Sequence, residues 1–245
     1  MTSSPAPSPS YRVVVADSAE DLARRTAQTI GSALDLVLAQ RDRAQIALAG
    51  GGTPRAAYCH LAQQHLPWGR VDVLLGDERW VPADDPSSNA RMVRETLMAA
   101  EPGSHACLHA VPTDLPTPEQ GAQAYAELLH HLCGGEPPAL DLVLLGLGDD
   151  GHTASLFPGT AAPTVVDRYV TLGEGKGLPR VTLTAPTLSA ARQVIFLVSG
   201  SGKVEALRRL LDPLEAPERT PAKLVRPSGE VLILADKAAA AGLEP

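Results

Sequence analysis

The 245 residues, 44% of them hydrophobic, suffice for one large core, so a single domain over 11–245 is expected after a disordered tail at 1–10. A formal net charge of -7 and a pI near 5.5 exclude the broadly basic face that nucleic acid or an anionic membrane would need. The segment MTSSPAPSPS has neither a basic nor an apolar signal region, and no apolar run reaches about 18 residues, so a soluble, cytoplasmic monomer acting on a small molecule is expected.

In chain order, Met1 to Ser10 is rich in Pro and Ser and reads as the tail. Arg12 to Ala16 reads as a strand, and Ser18 to Ala39 as a helix opened by the capping pattern Ser18-x-x-Asp21. The strand Gln45 to Ala49 runs into Gly50-Gly51-Gly52-Thr53-Pro54 and a helix to Gln64. The glycines allow close backbone approach, Thr53 offers a hydroxyl, and Pro54 suits a first helical turn whose amides are free for an anion. The loop lacks the Walker and dinucleotide registers, and a plain strand-to-helix turn is the alternative.

The strand Val71 to Leu75 is followed by Gly76-Asp77-Glu78-Arg79-Trp80-Val81-Pro82, and Ser88 opens a helix to Ala99. Asp77, Glu78 and Arg79 form either a solvated rim or, by their place after a parallel strand, part of a ligand site. A helix is expected at Pro118 to Leu132. The three cysteines, Cys59, Cys107 and Cys133, are odd in number and far apart, which argues against a disulfide framework. His130, His131 and Cys133 do not share one helix face and have no second cluster, so no metal site is expected.

Leu140 to Leu145 reads as a strand leading into Gly146-Leu147-Gly148-Asp149-Asp150-Gly151-His152-Thr153-Ala154-Ser155. Here an imidazole that titrates near neutrality stands beside carboxylates able to orient it, the parts of a general base; a capped helix start is the alternative. Leu156 to Pro179, punctuated by Gly and Pro, reads as loops near the site, and Arg180 is a cation able to reach it. Gln193 to Val198 is a strand ending in Ser199-Gly200-Ser201-Gly202-Lys203, where a lysine beside free helix amides makes a second anion-binding element. A helix from Gly202 to Leu211, the strand Val231 to Ala235 and a helix from Asp236 to Ala241 complete the chain. The alternation predicts an α/β fold, doubly wound and Rossmann-like, with a mostly parallel sheet and helices on both faces. Strand order is not readable, but ligands of such sheets bind beyond the carboxyl ends of the strands.

Five segments in one order, GGGTP, GDERWVPADDPSSNARMV, LDLVLLGLGDDGHTASLFPG, RVTLTAPTLSAARQVIFLVSG with Lys203, and PAKLV with LILADKAAA, resemble the 6-phosphogluconolactonase family of the glucosamine-6-phosphate deaminase and isomerase superfamily. The resemblance implies hydrolysis of 6-phosphogluconolactone in the oxidative pentose phosphate pathway, without cofactor or metal. It implies that His152 is the base activating water, Asp150 its acidic neighbour, and Arg79 a positioning and charge-stabilising residue. Gly51, Gly52, Thr53, Asp77, Arg180 and Lys203 fall to binding the sugar phosphate. Asp149 departs from the family's usual GLGPDGH, placing an added negative charge beside the base. The deaminases carry a glutamate five residues after the histidine, where this chain has Phe157, and they read Asp-Glu-Tyr where it has Asp77-Glu78-Arg79. A deaminase or isomerase is therefore the runner-up, and a sugar-phosphate sensor without turnover the third reading. A serine hydrolase using Ser155 is disfavoured because the G-x-S-x-G elbow is missing.

Overall fold

The computed structural model describes residues 9–243, so Met1 to Ser8 of the expected tail lie outside the described residues. The elements are β1 (Tyr11–Ala16), α1 (Ala19–Leu38), β2 (Ala44–Leu48), α2 (Gly52–Leu61), β3 (Val71–Leu75), β4 (Asp77–Arg79), α3 (Asn89–Glu95), β5 (Cys107–Leu108), α4 (Pro118–Cys133), β6 (Leu142–Gly146), β7 (Val170–Gly175), β8 (Leu178–Leu183), α5 (Ala185–Ser189), β9 (Gln193–Val198), α6 (Val204–Leu211) and β10 (Val231–Asp236). Seven strands form a parallel sheet in the order β1-β10-β9-β6-β2-β3-β5. This is the expected doubly wound α/β architecture. Among the described residues, no helix is long and apolar enough to cross a membrane.

Alternation along the strands divides the core in two. Ile46, Leu48, Val73, Leu75, Leu144 and Ile195 face one layer, packed by α1, α2 and α3 through Ile30, Leu34, Tyr58, Leu61 and Val93. Ala47, Leu74, Val143, Leu145, Val194 and Phe196 face the other, packed by Tyr125 and Leu129 of α4 and Leu207 and Leu210 of α6. Burial on both faces explains why these strands read as unbroken apolar runs. The expected cap of α1 is present: Ser18 Oγ accepts from the Asp21 amide at 3.1 Å, and the Asp21 carboxylate accepts from the Asp17 amide at 3.1 Å.

Four expectations need correction. Leu156 to Pro179 is irregular only in its first half, because Val170–Gly175 and Leu178–Leu183 form a hairpin that joins β4 in a second, antiparallel sheet. Gly173 and Gly175 disguise the hairpin in the sequence, and both are there for close approach. A Cβ at Gly173 would lie 2.7 Å from the Ser155 carbonyl oxygen, and one at Gly175 2.2 Å from the Phe157 ring. The segment after β3 is likewise a strand, pairing Asp77 with Thr182 and Arg79 with Arg180. The helix expected from Ser88 to Ala99 ends at Glu95, where Thr96 leaves helical geometry. The helix expected from Asp236 to Ala241 is absent: Asp236 ends β10 and turns follow from Lys237, since the Asp236 carboxylate closes onto the Ala239 amide at 2.7 Å and binds Ser199 Oγ and the Gly200 amide.

Candidate active site

Beyond the carboxyl ends of β2, β6 and β9 opens a cleft of about 300 Å³. It gathers Gly51, Gly52, Thr53, Asp77, Arg79, His152, Arg180 and Lys203, eight of the nine residues picked from the sequence; Asp150 stands behind His152.

On one side β2 ends in a turn that only glycines allow. Gly51 has φ of 113°, and a Cβ on Gly50 would lie 1.9 Å from Asn89 Oδ1. α2 starts at Gly52 with no side chain capping it, so its first amides, which have no helical partners, border the cleft beside Thr53. This end of a ten-residue helix favours negative charge. Lys203, in the short turn before α6, lines the same cleft.

The period of two along β4 decides the roles of its three residues. Asp77 and Arg79 line the cleft, whereas Glu78 points away and is buried. Its carboxylate accepts from the Asn89 and Ala90 amides at 2.7 and 2.8 Å and so caps α3; burial pushes its pKa up although these amides oppose the shift. The charged rim inferred from the sequence is thus half site and half scaffold. Asp77 accepts from Ser155 Oγ at 2.5 Å and lies 3.5 Å from Arg180 Nη1. The Ser155 hydroxyl therefore serves Asp77 rather than His152. Arg79 donates through Nη1 to the Ser87 carbonyl, and its buried Nε has no partner among the described residues.

The loop after β6 is wound tightly around His152. Asp150 Oδ1 accepts from the His152 amide at 3.0 Å and lies 2.5 Å from ring Nδ1. Because Asp150 faces Nδ1, we assign the proton there, which leaves Nε2 with a lone pair. Gly148 has no substitute: a Cβ there would lie 2.0 Å from His152 Nδ1. The Phe157 ring packs on the imidazole with centroids 4.2 Å apart, and the Arg180 guanidinium lies over the Phe157 ring, 5.4 Å from its centroid. Burial lowers the His152 pKa below its ordinary value, against the opposing pull of Asp150. Asp149 is exposed, so the departure from the family pattern falls on the solvent side of the loop.

Sequence reasoning missed Lys176. It occupies the turn between β7 and β8, with φ of 54°, and lines the cleft near His152. Gly175-Lys176-Gly177 between two β-rich runs was a hairpin signal, hidden by the glycines within β7. Among the described residues, neither Lys176 nor Lys203 has a carboxylate within 4.0 Å. The cleft thus holds an imidazole oriented by Asp150 near two lysines without acidic partners among the described residues, an arrangement able to activate water beside an anionic ligand. Among the described residues there is no group of three His, Cys, Asp or Glu that could hold a metal ion.

Over residues 17–234 the chain matches the family described as glucosamine-6-phosphate isomerases/6-phosphogluconolactonase. It is 43% identical to a 6-phosphogluconolactonase of Synechocystis sp., covering 91% of this chain and 95% of that protein. It is 34% identical to a human 6-phosphogluconolactonase, covering 96% and 94%. Among solved structures, the 6-phosphogluconolactonase from Trypanosoma brucei superposes with a TM-score of 0.86 at 32% identity, covering 97% of this chain and all of that one. A monomeric glucosamine-6-phosphate deaminase shares the fold, with a TM-score of 0.77 at 22% identity, covering 94% and 98%.

Proposed function

The chain belongs to the glucosamine-6-phosphate isomerase/6-phosphogluconolactonase family, and from that premise we propose that it hydrolyses 6-phosphogluconolactone to 6-phosphogluconate. The observation that carries the reading is the Asp150–His152 pair, 2.5 Å apart, with the imidazole lining a cleft rich in cations. His152 Nε2 takes a proton from water as the water oxygen adds to the lactone carbonyl. Arg79, beside the cleft, stabilises the oxyanion, and the imidazolium returns the proton to the ring oxygen as the acyl–oxygen bond breaks. Lys203 and the amino end of α2 hold the phosphate, with Thr53 as a further donor. Arg180 is fixed by Asp77 and Phe157, which suits it to shaping the phosphate side of the cleft. A lactone carbonyl is already electrophilic, so a positioned base, worth about 100 to 10,000-fold, is sufficient without a covalent nucleophile.

The test is an assay on freshly prepared 6-phosphogluconolactone with spontaneous hydrolysis subtracted. Saturable hydrolysis is expected; sugar-phosphate binding without turnover would point to a sensor instead. Deamination is disfavoured by Phe157, which stands where the deaminases carry a glutamate and packs on His152 with a ring that can neither donate nor accept a proton. No ammonia release from glucosamine 6-phosphate is expected, and efficient release without lactonase activity would reverse the reading.

A further inference from the structure

Of the buried side chains on α6, Ala206, Leu207 and Leu210 are apolar and Arg209 is not. Its neighbour Arg208 is exposed and paired with Glu205 on the same helix, an ordinary surface arrangement. Arg209 is poorly compensated by comparison. Nη2 donates to the Asp149 carbonyl at 3.0 Å, Nη1 lies 3.9 Å from Glu215 Oε1, and Nε is buried without a partner among the described residues. Burying a guanidinium with incomplete partners is costly, and an apolar residue of similar size would commonly serve stability as well or better. A purely structural role leaves the arginine unexplained.

What the arginine reaches is the backbone of the loop that carries Asp150 and His152. The same loop is also held by the segment after α6. The Ala222 amide donates to the Gly151 carbonyl at 3.0 Å, and Thr220 packs so closely on Gly151 that a Cβ there would lie 3.0 Å from Thr220 Cα. Thr220 Oγ1 in turn donates to Glu215 at 2.7 Å, which joins the two clasps. Two consecutive loop segments, at 149 and 151, are therefore fixed by elements remote in sequence, with Asp150 suspended between them.

We propose that Arg209 is a positioning residue for the base: its bond to the Asp149 carbonyl keeps Asp150 against Nδ1 of His152 and Nε2 aimed into the cleft. The inference rests on the proposed lactonase reading for its catalytic consequence, but not for its structural one. Since Lys203 directly precedes α6, one short helix links the lysine proposed to hold phosphate to the clasp on the base loop.

The experiment compares wild type with Arg209→Met, with Arg209→Gln, which keeps a polar group in the same space, and with Arg208→Ala as a control on the same helix. The readouts are the NMR titration of the His152 Cε1 proton, steady-state kcat and KM, and the melting temperature. His152 is faced by Asp150 from its own loop, Lys176 from the hairpin turn and Asp77 from β4, with Arg180 over the neighbouring Phe157 ring. None of these changes in the variants. Loosening the loop returns the imidazole to solvent, so its titration midpoint rises toward the ordinary histidine value in both Arg209 variants. A kcat fall of about 10- to 100-fold is expected with KM little changed, as for a misplaced catalytic group. Arg208→Ala matches wild type in every readout. Should Arg209→Met not fold, Arg209→Gln decides by the same measurements. Unchanged kcat and midpoint in a folded Arg209 variant would overturn the positioning role while leaving the lactonase reading standing. A shifted midpoint in a protein whose wild type has no lactonase activity would do the opposite.

Discussion

The two ends of the parallel sheet treat charge in opposite ways. At the amino end, Asp72 of β3 and Asp141 before β6 are buried and fully occupied. Asp72 accepts from Arg43 through two nitrogens at 2.8 and 2.6 Å, from Gln45 at 3.1 Å, and faces His109 at 2.8 Å. Burial alone would raise its pKa, but Arg43, His109 and Gln45 win and hold it down to about 2. Asp141 receives Arg41, Arg192 and the Gln45 amide. At the carboxyl end, Asp77 is a carboxylate that lines the cleft, and among the described residues Lys176 and Lys203 are left without acidic partners. The same residue types thus make a closed electrostatic joint at one end and an open one at the other, and only the open one has potential left for an anionic ligand.

The largest effect that would test this contrast is at the open end. His152→Ala should lower turnover by about 100-fold or more with substrate binding nearly intact; near-normal turnover would remove the histidine from the chemistry. In wild type, activity should fall on the acid side as His152 protonates. Because burial depresses its pKa, the acid limb is expected below the ordinary histidine value, and a limb above it would contradict the buried, neutral base.

Next in size is Lys203→Ala, which should weaken phosphorylated ligands by about 10- to 100-fold, the worth of a hydrogen bond to a charged group. Non-phosphorylated gluconolactone should be nearly indifferent, and an equal loss with both substrates would place Lys203 outside the phosphate site.

The closed end should answer in stability alone. Asp72→Ala leaves Arg43 and Gln45 without their acceptor and should cost about 1–3 kcal/mol, at the low end because Arg43 is partly exposed and regains water. Its kcat should match wild type; a large kcat loss would show that the two ends are not independent. With a folded pKa below the unfolded one of about 3.9, the contribution of Asp72 is present above about pH 4 and lost as pH falls toward 2. Denaturant titrations of wild type and variant should therefore converge in that acid window. The smallest effect is the one expected from chelators, which should leave activity unchanged; inhibition reversed by a divalent ion would overturn the metal-independent mechanism.

The sequence alone determined the features whose physics is local. The apolar runs require a sheet buried on both faces, and Ser18 with Asp21 requires a helix start. Glycine-rich turns after β2, β6 and β9 place Thr53, His152 and Lys203 at one edge, because every parallel strand delivers its following loop to the same side. Tertiary structure decided whatever depends on contacts between distant segments. The order of the strands, the pairing of β4 with β8, and the choice of Asp77 and Arg79 over Glu78 as cleft residues all follow from which neighbours each segment meets. Gly173 and Gly175 look like breakers in the sequence, yet they lie within a strand because Ser155 and Phe157 press against them. Lys176 and Arg209 were invisible for the same reason: a cation in a turn or on a helix takes its role only from what folding brings opposite it, here the His152 ring and the backbone of its loop.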